Sequence, residues 1–193
     1  NENYEVLKIG DFEKINEITA EEISKSKVVA WHQDKFEFGP RALGNRSILA
    51  DARNPNIRDV INMSIKNREK FRPFAPAILD RYLNDYFEIS NNDIDYSFMN
   101  YVCKVKKGVD NIIPGVVHFD KTCRIQTVSE NRNSKFFKLI ESFHKKTGVP
   151  IVINTSLNIQ EPICNTPEET INCFMRSKMD LMVIDNWVVK RLN

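Results

Sequence analysis

The chain has 193 residues and a net charge of +2, with 28% charged and 41% apolar residues. That length supports one domain with a sizeable core, and so small a net charge rules out any argument for a partner from overall charge. No apolar run reaches the roughly 18 residues of a membrane span, and the acidic start NENYEVLKIGDFEKINEITAEEI does not read as a signal peptide. In chain order, TAEEISKSK opens with Thr19 and Glu22 three residues apart, a capping-box pattern that predicts a short helix. VVAWHQ (28–33) and SILADA are β-branched or apolar enough to predict strands. The second of these lies within FEFGPRALGNRSILADARNP (36–55), which carries two of the chain's six glycines, Gly39 and Gly44.

NIRDVINMSIK places Ile57, Val60, Ile61 and Ile65 on one helical face, and Arg72 is extended because a proline follows it. Residues 84–97 are polar and turn-rich and are expected to form a mobile loop, followed by strands in FMNYVCKV and RIQTVS. SKFFKLIESFHKKTG reads as an amphipathic helix stopped by Gly148, and VPIVINTS as a buried strand ending in polar residues. TPEETINCFMRS has Thr166 as N-cap, Pro167 at the first helical position and Glu169 closing a box, and DLMVI and NWVVKRL supply final strands. This alternation predicts an α/β (α+β-like) single domain with a twisted mixed sheet and helices mainly on one face.

Three segments could carry chemistry. Residues 41–72 hold Arg41, Arg46, Arg53, Arg58, Lys66, Arg68, Lys70 and Arg72 against only Asp51, Asp59 and Glu69. Guanidinium groups at that density suit phosphate or carboxylate oxygens, although a solvated helix face would show the same composition. In KTCRIQTV, strand alternation puts Thr122, Arg124 and Gln126 on one face, where a bound anion or open water would satisfy them. INTSLN delivers Asn154, Thr155, Ser156 and Asn158 at a strand end, a place for ligands or for turn chemistry. Cys103, Cys123, Cys164 and Cys173 show no C-x-x-C spacing and no histidine partner, so they are expected to be reduced, buried thiols of a cytoplasmic protein, with no metal. His32, His118 and His144 form no metal spacing, and no Walker loop, G-x-G-x-x-G or G-x-S-x-G is present.

FEFGPRALGNRSILADAR, INMSIKNREKFRPFAPAIL, TCRIQTV and TGVPIVINTSLNIQEPICNTPEETINCF, in that order, resemble the C-terminal domain of the NodU/CmcH-type O-carbamoyltransferases. The resemblance runs from about residue 28 to 193 and implies a YrdC-like domain that takes carbamoyl phosphate and ATP, with Mg, to a carbamoyl-adenylate. A sugar-kinase-like N-terminal domain of the family, which carries iron and transfers the carbamoyl group to a hydroxyl, has no counterpart in these residues. The resemblance implies catalytic roles for Lys66, Arg72, Arg124 and Ser156, and substrate binding by Arg41, Arg68, Thr122, Asn154 and Thr155. Neither membrane nor nucleic acid is the expected partner. An RNA- or nucleotide-binding module without catalysis, or a support domain, stands as the alternative. The chain reads DKTCR for the family's DGTAR, has Leu157 where an aromatic ring is usual, and lacks a glycine before Glu161.

Overall fold

The computed structural model describes residues 3–91 and 93–192. In chain order it has β1 (Asn3–Lys8), α1 (Phe12–Ser24), β2 (Val29–His32), β3 (Arg46–Asp51), α2 (Ile57–Ser64) and β4 (Ala75–Leu79). A 3-10 turn (Asp80–Tyr82), α3 (Leu83–Tyr86), β5 (Val102–Lys104), α4 (Val109–Ile112), β6 (Thr122–Arg124) and β7 (Gln126–Val128) follow. The chain continues through α5 (Ser134–Thr147), β8 (Ile151–Ser156), α6 (Pro167–Arg176), β9 (Leu181–Ile184) and β10 (Trp187–Leu192).

The first helix begins earlier than the Thr19 pattern predicts. Asp11 is its cap and accepts from the Glu13 amide at 2.9 Å, while Thr19 is buried mid-helix and its hydroxyl donates to the Ile15 carbonyl at 2.7 Å. The apolar face through Ile15 and Ile23 fixes the helix, and a hydroxyl that bonds back one turn is compatible with its interior. The two later helices follow the sequence closely. Gly148 ends α5 in the left-handed conformation, and the Thr166–Glu169 capping box opens α6.

Eight strands form one mixed sheet in the order β1-β10-β9-β2-β3-β8-β4-β7, with β2/β9 and β4/β7 parallel. Alternation along the central strands divides the apolar residues between its two faces. Ala30, Ile48, Ile78 and Ile153 pack with Ile57 and Ile61 of α2 and Phe174 of α6. Val29, Trp31, Leu49, Leu79 and Val152 pack with Ile15 and Ile23 of α1 and Phe136, Ile140 and Phe143 of α5. Helices therefore cover both faces, where one was expected. The reason is that the central strands are apolar on both sides. On α2, Ile57, Ile61 and Ile65 are buried, whereas Val60 faces solvent.

The stretch 122–128 is not one strand. β6 pairs with β5 in a separate two-stranded sheet and β7 pairs with β4 in the main one, so the chain changes sheets at buried Ile125. Segment 84–97 also differs from a free polar loop, because its aromatics Phe87 and Tyr96 are buried in the α2 and α6 core. None of the helices among the described residues is long and apolar enough to cross a membrane.

Candidate anion site

The ends of β8 and β6, the loop after β2 and the segment before β4 enclose a cavity of about 120 Å³. Arg41, Arg68, Arg124, Asn154, Thr155 and Ser156 line it, with Pro40, Pro73, Phe74 and Met99 as its apolar wall. Three guanidinium groups meet there, and no carboxylate does. Burial holds the Arg124 pKa below its ordinary value, and the charge of Arg41 lowers it further. Arg68 is lowered for the same two reasons, burial first and then Arg72. Its Nε donates to Asn62 Oδ1 at 2.7 Å and its guanidinium lies 5.0 Å over the Phe74 ring, which fixes its direction.

Two buried polar atoms in this wall, Arg124 Nε and Asn154 Oδ1, have no partner among the described residues. Buried donors and acceptors are nearly always satisfied, so one orphan of each kind in one cavity points to a ligand offering both acceptors and donors. Asn154 is oriented by its amide, which donates to the Ala42 carbonyl at 3.1 Å and to Gln126 Oε1 at 2.7 Å. Gln126 in turn donates to the Leu43 carbonyl at 2.8 Å. Gln126 is absent from the implied site residues, although the alternation with Arg124 marks its face.

The loop that carries Gly39 and Gly44 is held by a group that the sequence did not single out. Glu37 accepts from the amides of Leu43 (2.8 Å), Asn45 (2.8 Å) and Arg46 (3.3 Å), and burial pushes its carboxyl pKa up. At Gly44, φ is +115° and an added Cβ would lie 2.2 Å from the Phe136 ring, so the turn into β3 requires glycine.

Lys66 stands behind the cavity. Its Nζ donates to the Ser156 carbonyl (2.5 Å), the Asn158 carbonyl (2.8 Å) and Asn158 Oδ1 (2.6 Å), and lies 3.3 Å from Ser156 Oγ. Burial first, and then Arg68, draw its pKa down to about 7. The acceptors oppose this, since only the ammonium form offers three donors. Lys66 thus clasps the Ser156–Asn158 turn. Arg72 lies elsewhere: it is exposed, pairs with Glu69 at 2.8 Å, and does not line the cavity. Thr122 is also outside, bonded to Asp120 at 2.7 Å and to His118 at 3.0 Å. Arg46 and Arg53 are structural. The first ties the carbonyls of Gln33, Asp34, Asn45 and Asn165 together, and the second pairs with Asp51 at 2.7 Å.

A family model described as carbamoyltransferase C-terminus matches residues 20–191. The chain belongs to that family. It is 42% identical over 173 residues to the nodulation protein NolNO of Sinorhizobium fredii, covering 89% of this chain and 25% of that protein. It is 34% identical over 167 residues to the 3'-hydroxymethylcephem-O-carbamoyltransferase of Amycolatopsis lactamdurans, covering 86% of this chain and 31% of that enzyme. The chain therefore spans between a quarter and a third of these relatives. Among solved structures, full-length HypF in its phosphate- and nucleotide-bound form superposes with a TM-score of 0.62 at 16% identity, over 95% of this chain and 22% of HypF. Sua5 of P. abyssi complexed with L-threonine gives 0.62 at 17% identity, over 90% of this chain and 47% of Sua5. These likenesses establish the YrdC-like fold of the family domain.

Proposed function

We propose that this domain binds carbamoyl phosphate and ATP, that water releases phosphate from carbamoyl phosphate to leave carbamate, and that a carbamate oxygen attacks the α-phosphate of ATP to give a carbamoyl-adenylate and pyrophosphate, for transfer to a hydroxyl acceptor by an N-terminal domain of a longer chain. The observation that carries the reading is the cavity in which Arg41, Arg68 and Arg124 converge with the unpartnered Arg124 Nε and Asn154 Oδ1. A carbamoyl phosphate fits that chemistry at both ends. Its phosphate oxygens accept from the guanidinium groups, and its amide N–H groups donate to Asn154 Oδ1. At about 120 Å³ the cavity suits so small an anion, whereas a drug-sized ligand occupies several hundred, so the nucleotide lies across the mouth. The lining supplies no carboxylate for Mg, which fits a cation carried on the nucleotide phosphates.

In this reading the side chains position and neutralise. Arg41, Arg68 and Arg124 offset repulsion between the two anionic substrates, Ser156 and Thr155 offer hydroxyls, and Lys66 holds the turn that aims Ser156. No nucleophilic side chain is required. Family membership and the similarity to a named O-carbamoyltransferase support the reaction class. The test is to incubate the purified chain with ATP, with and without carbamoyl phosphate and hydroxyl acceptors, and to follow pyrophosphate and carbamoylated product separately. Slow pyrophosphate release that depends on carbamoyl phosphate, with no O-carbamoyl product, is expected. Release that ignores carbamoyl phosphate, or efficient product formation by this chain alone, overturns the reading.

A further inference from the structure

On the far side of the turn held by Lys66, the chain brings together three side chains that play no part in the anion cavity. Glu161 and Cys164 lie in the segment after β8, and Cys173 lies on α6. One carboxylate oxygen and the two sulfurs are all within 4.8 Å of one another. Both cysteines are free and buried. Glu161 reaches the surface through a cleft of about 420 Å³ that Cys164, Asn165, Glu169, Asn172 and Arg176 also line.

We propose that Glu161, Cys164 and Cys173 form a binding site for one thiophilic divalent cation of the zinc class. Two sulfurs and one carboxylate oxygen are ligands such an ion takes, and a water from the adjoining cleft completes four-coordination. Charge favours the arrangement. Two thiolates and a carboxylate around a divalent ion leave one net negative charge, which Lys66 on one side and Arg176 on the other offset. Arg176 Nη2 sits 3.0 Å from Glu161 Oε1, an outer partner that orients the carboxylate. Uptake displaces one proton from each thiol, so two protons leave for each ion bound.

The site would act as a clamp. The segment between its ligands and the cavity is already tied down, with Asn158 Nδ2 donating to the Glu161 carbonyl at 2.5 Å and the Cys164 amide to the Leu157 carbonyl at 2.9 Å. A cation there fixes the turn bearing Ser156 onto α6.

The test uses Co²⁺ as a visible stand-in for Zn²⁺, added to the reduced 193-residue chain. One Co²⁺ per chain should produce a thiolate-to-cobalt charge-transfer band that one equivalent of Zn²⁺ bleaches. Cys164→Ser and Cys173→Ser should each abolish the band, Cys103→Ser should leave it, and Arg176→Gln should weaken affinity about tenfold. Should Cys173→Ser fail to fold, protection of Cys164 from alkylation by equimolar Zn²⁺ in the unsubstituted chain carries the same information. No band, a band that persists in Cys164→Ser, or alkylation unaffected by Zn²⁺ overturns the proposal. So does a chain in which these thiols only pair as a disulfide.

Discussion

Replacing Arg124 by methionine should move ligand affinity and stability in opposite directions. Arg124 has a buried Nε without a partner among the described residues, and burial and the Arg41 charge both depress its pKa. In the free protein the guanidinium is thus a liability. An unsatisfied buried donor costs about 1–3 kcal/mol, and an apolar side chain of similar length removes that cost together with the repulsion. Allowing for imperfect packing of the thioether, Arg124→Met should gain about 1 kcal/mol in urea unfolding. The same change deletes a charge-assisted contact to the bound anion, about 2 kcal/mol, or roughly a 30-fold weaker Kd. Calorimetric titration with carbamoyl phosphate and chemical unfolding without it measure the two numbers on the same samples. A variant that binds within about threefold of the parent, or that unfolds more easily without ligand, would refute the assignment of Arg124 to an anion site.

Lys66→Met removes the cation that bridges the Ser156 and Asn158 oxygens and should cost on the order of 2 kcal/mol, with faster amide exchange through residues 156–164. Gly44→Ala forces a Cβ toward the Phe136 ring at a φ of +115°, and urea unfolding should register a loss of about 3 kcal/mol. His32 is buried against Thr170, and burial, then Arg46, lower its pKa from 6.5 to about 4. The unfolded imidazole takes its proton near 6.5 and the folded one only near 4, so the unfolded state binds more protons between those values. Stability contributed by His32 is complete above pH 6.5 and should fall by on the order of 3 kcal/mol as the pH drops to 4, and a His32→Gln variant should show a flatter profile.

The elements with strong local signals were legible. Gly148, the Thr166–Glu169 box and the apolar run of β8 each state their own structure. Thr19 misled because its hydroxyl pattern fits a cap and a buried mid-helix position equally well, and the apolar periodicity upstream decides between them. Of the site, the polar end of β8 and the Arg124 face could be read from strand alternation. Arg72 could not be separated from Arg68, because their spacing does not say that one stacks on Phe74 and the other pairs with Glu69 on the surface. Lys121, which stands at the glycine position of the DGTAR pattern that the sequence resembles, adopts a φ of +63°, a left-handed turn that favours glycine. The thiol cluster was invisible, since eight residues separate Cys164 from Cys173 and only the turn into α6 closes that gap.

The cavity draws its cations from the loop after β2, the segment before β4 and the end of β6, and its hydroxyls from β8, strands that meet only in the finished sheet. During synthesis, Arg41, Arg68 and Arg124 emerge before β8, the strand that sits between β3 and β4. Until it inserts, the cavity that gathers these cations lacks its Asn154–Ser156 wall. A small anion bound in this cavity would recognise only completed molecules, and by mass action it would draw late intermediates toward the native state. Cells rich in such an anion would carry fewer half-made copies.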